Sequence, residues 1–287
     1  MTYSIVARDS ETGELGVAIQ SRAFRAGGVV PWALPGVGAV ATQSFTERSY
    51  GPLGLELLRA GKTPEQALAG LVAADPEQAV RQVAIVDPEG RTAAHTGDAC
   101  IPEAGHRTGE GYSVQANMMR SAEVWPAMAD AFEGATGSLA RRLLAALDAA
   151  EAAGGDWRGK QAAGLLVVPA HGKPWDVVAD VRVDDHPEPL AELRRLLDLE
   201  EGYRNLPESR DPVATARAAG LSELDVLWAE IIAAAHSGEL DRARKLLAPL
   251  LAEEPRWAVF ARALAARDVL PHVDELLQGQ SESERRS

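Results

Sequence analysis

The chain has 287 residues, 46% of them hydrophobic and 25% charged, enough for one large domain and an appendage. Its net charge of −13 argues against nucleic acid or an anionic membrane surface as a partner. One cysteine, Cys100, rules out an internal disulfide and suits a reducing compartment. No apolar run reaches the roughly 18 residues of a membrane span. The start shows no basic stretch leading into a long apolar one, so no leader is expected and the protein is expected to be cytoplasmic.

In chain order, TYSIVAR and LGVAIQS are strands joined by DSETGE, which has the Asp, Ser and Gly of a turn, so they form a hairpin. GGVVPWALPG carries two prolines and suits an edge strand. GVGAVATQSF, rich in small residues, is a buried strand. Two helices follow. GPLGLELLRAG ends on a C-capping Gly, and TPEQALAGLVAAD opens with Thr63, Pro64 and Gln66, the pattern of a capping box.

RQVAIVDPEGRTAAHTG is strand, turn, strand, and GYSVQANMM is a further strand. EVWPAMADAFEG and SLARRLLAALDAAEAAGG are helices, the second with apolar residues at three-four spacing. AAGLLVVPA and VVADVRVDD complete the strands.

Helices therefore come in pairs between groups of strands, unlike the single alternation of a doubly wound parallel sheet. The order predicts an α+β fold: a four-layer αββα sandwich, two antiparallel sheets between helical layers. The sandwich is expected over residues 1–204. Residues 205–277 are amphipathic helices broken at HSGEL and EEPRW, a tetratricopeptide-like appendage, and residues 278–287 are a polar, disordered tail.

A sandwich whose first strand starts at the N-terminus resembles the N-terminal-nucleophile hydrolases. More closely, MTYSIVARD, TGELGVAIQSR, GVGAVATQSF, SYGPLGLELLRAG, RQVAIVD, TGDACIPEAGH, AGGDWRGKQAAGLLVV and VRVDDHPEPLAELRRLL, in that order, resemble the domain-of-unknown-function family 1028 over about residues 1–200. That family is grouped by fold with the N-terminal-nucleophile hydrolases.

The resemblance implies that Thr2, exposed by removal of Met1, is either a nucleophile or an ordinary strand residue. An α-amine has a pKa of about 7.7–8.0, so it can accept the hydroxyl proton near neutrality. Proteasome-like relatives hold a lysine on a nearby strand, whereas no lysine precedes Lys62 here. Arg22 and Arg25 are the nearest cations.

Several polar residues sit at strand ends or in loops. Gln20 and Ser21 close the second strand, and Thr42, Gln43 and Ser44 close the buried one; they are substrate contacts or satisfied core groups. Asn117 is an oxyanion donor or a turn residue. In GGDWRGKQ, Asp156 and Arg158 pair with each other, or Arg158 offers its fork to a carboxylate, with Gln161 beside them. Ser21 and Cys100 are alternative nucleophiles.

His95, His106 and His171 lack zinc spacing. Asp184, Asp185 and His186 suit a helix start better than a metal. No phosphate-loop or dinucleotide fingerprint occurs, so neither metal nor cofactor is expected.

The expectation is an amidohydrolase of N-terminal-nucleophile type with Thr2, Asn117 and Arg158 as catalytic residues. Its substrate is a small molecule met by Ser21, Arg22, Thr42, Gln43, Asp156 and Gln161. The alternative is a non-catalytic scaffold whose appendage binds a partner. An exposed sheet edge or apolar helix face leaves a homodimer open.

Overall fold

A computed structural model describes residues 2–278. Met1 and residues 279–287, which hold nearly all of the expected tail, lie outside the described residues. The chain divides into two compact units between Leu197 and Asp198, seven residues before the boundary expected from sequence.

The first unit is built on two antiparallel sheets. The first three strands and the fourth are β1 (Thr2–Arg8), β2 (Leu15–Ser21), β3 (Pro31–Leu34) and β4 (Gly38–Ser44). The first helices follow, α1 (Tyr50–Arg59) and α2 (Pro64–Ala74). Then come β5 (Arg81–Val86), β6 (Thr92–Thr96), β7 (Gly105–Gly109) and β8 (Tyr112–Asn117). After α3 (Val124–Gly134) and α4 (Leu139–Ala152), β9 (Ala162–Val168) and β10 (Ala179–Val183) complete the sheets, and α5 (Pro189–Asn205) follows.

One sheet has the order β10-β9-β2-β1-β8-β7, and the other β3-β4-β5-β6. The proline-bearing β3 is an edge strand, which suits the missing N–H donor of Pro31. The edge strand β7 was not legible in the sequence. GHRTG has no apolar alternation because its residues are only partly covered.

Because β1 and β2 lie inside the sheet and are covered on both faces, they are buried along nearly their whole length. The two-residue period divides their side chains. Tyr3, Ile5 and Ala7 pack outward against Met128, Leu143, Leu147 and Leu193 of α3, α4 and α5. Val6, Val17 and Ile19 pack inward against Ala39, Ala41, Ala84 and Val86 of the other sheet. On that sheet's far face, Val40, Val83 and Ile85 meet Leu55, Leu58, Leu68 and Leu71 of α1 and α2. The order through the unit is helices, sheet, sheet, helices.

Local chemistry fixes the elements. Thr63 accepts from the Gln66 amide at 3.3 Å, and the Gln66 side chain accepts from the Thr63 amide at 3.2 Å, closing the capping box of α2. Ser138 caps α4 by accepting from the Arg141 amide.

The second unit is helical: α6 (Pro212–Ala218), α7 (Glu223–His236), α8 (Leu240–Glu253), α9 (Trp257–Ala265) and α10 (Val273–Leu276). Gly238, at φ +74°, makes the turn between α7 and α8. Their apolar faces share a core of Trp228, Ile231, Leu247 and Leu251. No described helix is long and apolar enough to cross a membrane.

One close approach limits the sheet. A Cβ on Gly164 of β9 would lie 2.7 Å from the Gly27 Cα, in the short 3-10 turn Ala26–Gly28. Gly164→Ala is expected to lower stability by about 1–3 kcal/mol, as overpacking does. A drop in the urea midpoint with unchanged slope checks it.

Candidate active site

The inner faces of the two sheets are apolar at one end and polar at the other. Along β1 the inward row runs Val6, Ser4, Thr2; along β2 it runs Val17, Ile19, Ser21; along β8 it runs Ser113, Gln115, Asn117. Thr2 stands directly between Ser21 and Asn117 in the register. Opposite them, β4 and β5 present Gln43 and Gln82 as a register pair. All of these side chains are buried.

Their hydrogen bonds form one continuous network. The Thr2 hydroxyl donates to the Ser21 hydroxyl at 3.1 Å. The Thr2 carbonyl accepts from Gln43 Nε2 at 3.2 Å and from Asn117 Nδ2 at 3.3 Å. Gln82 Oε1 accepts from the same two amides, at 2.7 Å from Gln43 and 2.8 Å from Asn117. Gln82 Nε2 donates to Thr96 Oγ1 and to the Ala116 carbonyl. Ser4 donates to Gln43 Oε1 at 2.7 Å and accepts from Gln115 Nε2 at 2.6 Å, and Ser113 donates to Gln115.

A ring of loops surrounds this end. The buried Asp156 carboxylate accepts from the Arg22 amide at 3.2 Å and from Arg158 through its amide, Nε and NH2. Asp156 also bridges to Met119, two residues past Asn117. Arg22 donates to Gln161 Oε1, and Gln161 Nε2 donates to Asp185 at 2.9 Å. Ser44, the last residue of β4, and Met118, the residue after β8, both sit at positive φ, 71° and 60°. Strained non-glycine residues of this kind gather at functional sites.

The structure thus brings Thr2, Ser21, Gln43 and Asn117 together, with Arg22, Asp156, Arg158 and Gln161 around them. It does not bring Thr42 with them. Thr42 follows the two-residue period to the opposite face of β4, where its hydroxyl donates to the Glu47 carbonyl at 3.0 Å. Gln20 likewise turns away from Ser21 and lies wholly buried on the helix side. Asn117 has its amide protons directed at Gln82 and at the Thr2 carbonyl, so it fixes the Thr2 peptide.

Cys100 is buried elsewhere, its thiol donating to the Arg81 carbonyl at 3.4 Å. Arg25 lies 3.8 Å from Asp184, and the His186 ring accepts from the Glu188 amide in a turn before α5. His95 bonds the Gln78 carbonyl and His106 bonds Thr96.

Sequence reasoning missed Ser4, Gln82, Ser113 and Gln115. The signal was present in β8, where Ser113, Gln115 and Asn117 recur at every second position among apolar residues. Two cavities of about 650 Å³, one between α1 and α2 and one beside Cys100 and Trp125, have no Thr2 in their walls.

The profile described as a family of unknown function, DUF1028, matches residues 2–193, the extent of the two-sheet unit. The chain belongs to that family. It is similar to the crystal structure of protein SPO2555 from Silicibacter pomeroyi, also matched to DUF1028. The two are 32% identical with a TM-score of 0.64, over 75% of this chain and 93% of that one. A looser likeness is to Anbu (ancestral beta-subunit) from Yersinia bercovieri, with a TM-score of 0.34. It is 15% identical over 72% of this chain and 96% of that one, too slight to carry an argument. A comparison with curated proteins returns no match. In this DUF1028 chain the matched region ends before the helical unit begins.

An ion-pair strut holds the loop beyond β4. Arg81 donates to Asp75 at 2.8 Å, to Glu77 at 2.7 Å and to the Phe45 carbonyl at 2.7 Å, and Tyr50 donates to Asp75 at 3.0 Å. The Arg81 hydrogen bond holds the Asp75 carboxyl below its ordinary range.

Two outcomes follow from these contacts. Gln82→Leu takes one acceptor from each of the Gln43 and Asn117 amides and the side-chain donor from the Ala116 carbonyl, and is expected to cost about 1–3 kcal/mol in chemical denaturation. A lowered carboxyl stabilises the fold above its unfolded pKa, about 3.9, and the gain is lost as pH falls through the folded value. The difference in urea midpoint between wild type and Asp75→Asn should therefore be full at pH 7 and shrink below about pH 4.

Proposed function

We propose that the protein is an N-terminal-nucleophile hydrolase that cleaves an amide or related carbon–nitrogen bond of a small substrate. The observation that carries this reading is the position of Thr2. It begins a central strand, between Ser21 and Asn117, at the polar end of the inter-sheet space. Met1, whose removal the mechanism requires, lies outside the described residues.

Once freed, the Thr2 amine accepts the proton of its own hydroxyl as Oγ1 attacks the substrate carbonyl carbon. The tetrahedral intermediate collapses by breaking the C–N bond, and the protonated amine returns its proton to the departing nitrogen. A water then attacks the acyl ester on Thr2, giving it up as a carboxylic acid and restoring the hydroxyl.

Within this reading, Asn117 and Gln43 hold the Thr2 peptide rigid, so the nucleophile is preorganised. Ser21, accepting from the Thr2 hydroxyl, orients Oγ1. Arg158, clamped by Asp156, and Arg22, steadied by Gln161, give positive potential to a developing oxyanion or an anionic substrate end. The four-layer arrangement suits a hydrolase of this type.

A second reading is favoured by the burial of Thr2, which is only 4% exposed. On that reading the polar network is a structural device inside a non-catalytic scaffold, and the helical unit binds a partner.

Intact-mass measurement of protein from its native host should give a chain lacking Met1. An amide-library screen should then find an activity that Thr2→Ala reduces by at least about a thousandfold and Thr2→Ser retains in part. Retention of Met1, or full activity in Thr2→Ala, speaks for the scaffold or for another nucleophile.

A further inference from the structure

The segments that leave the strand ends around Thr2 share an unusual composition. Of the four strongly exposed aromatic rings in residues 2–197, three stand there: Phe24 is 63% exposed, Phe45 54% and Trp157 49%. Phe24 lies three residues past Ser21, Phe45 two past Gln43, and Trp157 directly after Asp156. Each is tethered to the site by backbone whose neighbours bond to it. Arg22 bonds Asp156, Gln43 bonds the Thr2 carbonyl, and Arg120 bonds the Trp157 carbonyl.

The charges are equally uneven. Arginines elsewhere in this unit commonly face a carboxylate, as Arg59, Arg91, Arg107, Arg182 and Arg194 do. Arg22, Arg48 and Arg120 have no carboxylate within ion-pair distance among the described residues. Arg22 follows β2, Arg48 lies four residues past β4, and Arg120 three past β8, all at the Thr2 end of their strands. All three are exposed.

Net charge would repel an anion from this protein at long range. Salt screens that field within about 8–10 Å, so the local sign governs a bound ligand. A guanidinium steadied by a neutral glutamine, as Arg22 is by Gln161, keeps its charge available and its geometry set. Exposed rings beside such cations offer flat apolar contact.

We propose that the mouth at the Thr2 end takes amides bearing both a carboxylate and a flat apolar group, the class of aromatic N-acyl amino acids. Arg22, with Arg48 and Arg120, meets the carboxylate; Phe24, Phe45 and Trp157 meet the apolar group. The kind of bond rests on the hydrolase reading above, whereas the recognition does not need Thr2.

The test is calorimetric binding to full-length Thr2→Ala, so that turnover does not intrude. The probes are N-benzoylglycine, its neutral carboxamide, and N-acetylglycine, which lacks the ring. N-benzoylglycine should bind at least about tenfold more tightly than either, and more weakly as salt rises. Arg22→Ala combined with Arg120→Ala should erase the preference for the carboxylate, and Trp157→Ser should reduce the preference for the ring.

Equal binding of acid and carboxamide, or no measurable binding of any probe, overturns the proposal. So does a Phe24→Ser, Trp157→Ser variant that loses a dimer in sedimentation while probe binding is unchanged, since the rings would then serve a second copy. Selective binding without Thr2-dependent turnover sinks the nucleophile reading alone. Thr2-dependent turnover confined to amides lacking carboxylate and ring sinks this proposal alone.

Discussion

The pairing of Gln43 with Gln82 across β4 and β5 is the constraint on which the polar end depends. Gln82 Oε1 takes one proton from Gln43 and one from Asn117, and both donors also reach the Thr2 carbonyl. Two strands of one sheet are thereby tied to two strands of the other through buried amides. Buried amides left unpaired are costly, so the sheets have one low-energy alignment at this end. At the apolar end, Val, Ile and Ala contacts tolerate sliding far better, because they have no direction.

The same geometry explains why the strand ends are strained. Turning Ser44 and Met118 to positive φ stops β4 and β8 abruptly after the residues that enter the network. Chain that would otherwise continue as sheet is deflected outward, and the loops bearing the arginines and aromatic rings begin there. Rigidity between the sheets and chemical variety at the rim are products of one arrangement.

Much of the fold was legible in the sequence because most elements carry strong local signals. The Thr63–Gln66 capping box, the Pro-rich edge of β3 and the three-four spacing of α4 each act through near neighbours. The strand β7 was not legible, since an edge strand of GHRTG draws its stability from pairing with β8 rather than from an apolar face of its own. The domain division falls within α5, where a continuous helix gives no break in composition.

The site was half legible. Polar residues at strand ends are visible in the sequence, but which face each occupies depends on register, and one residue separates Thr42, facing α1, from Gln43, facing Thr2. Gln82 is the lone uncharged polar residue of its strand, and its partner Asn117 lies on the other sheet, so only the packing of the two sheets reveals its role.

Cys100, with its thiol bonded to the Arg81 carbonyl, gives the molecule a built-in gauge. It is the chain's one sulfhydryl, and from the turn after β6 its thiol reaches β5, the strand that carries Gln82 and the Arg81 of the strut to Asp75. Cys100 also lines the cavity beside Trp125, so a thiol reagent approaches it from that side, and the labelling rate reads how firmly the thiol is held against the Arg81 carbonyl. Loosening of β5 would register in the labelling rate before any global unfolding signal moved.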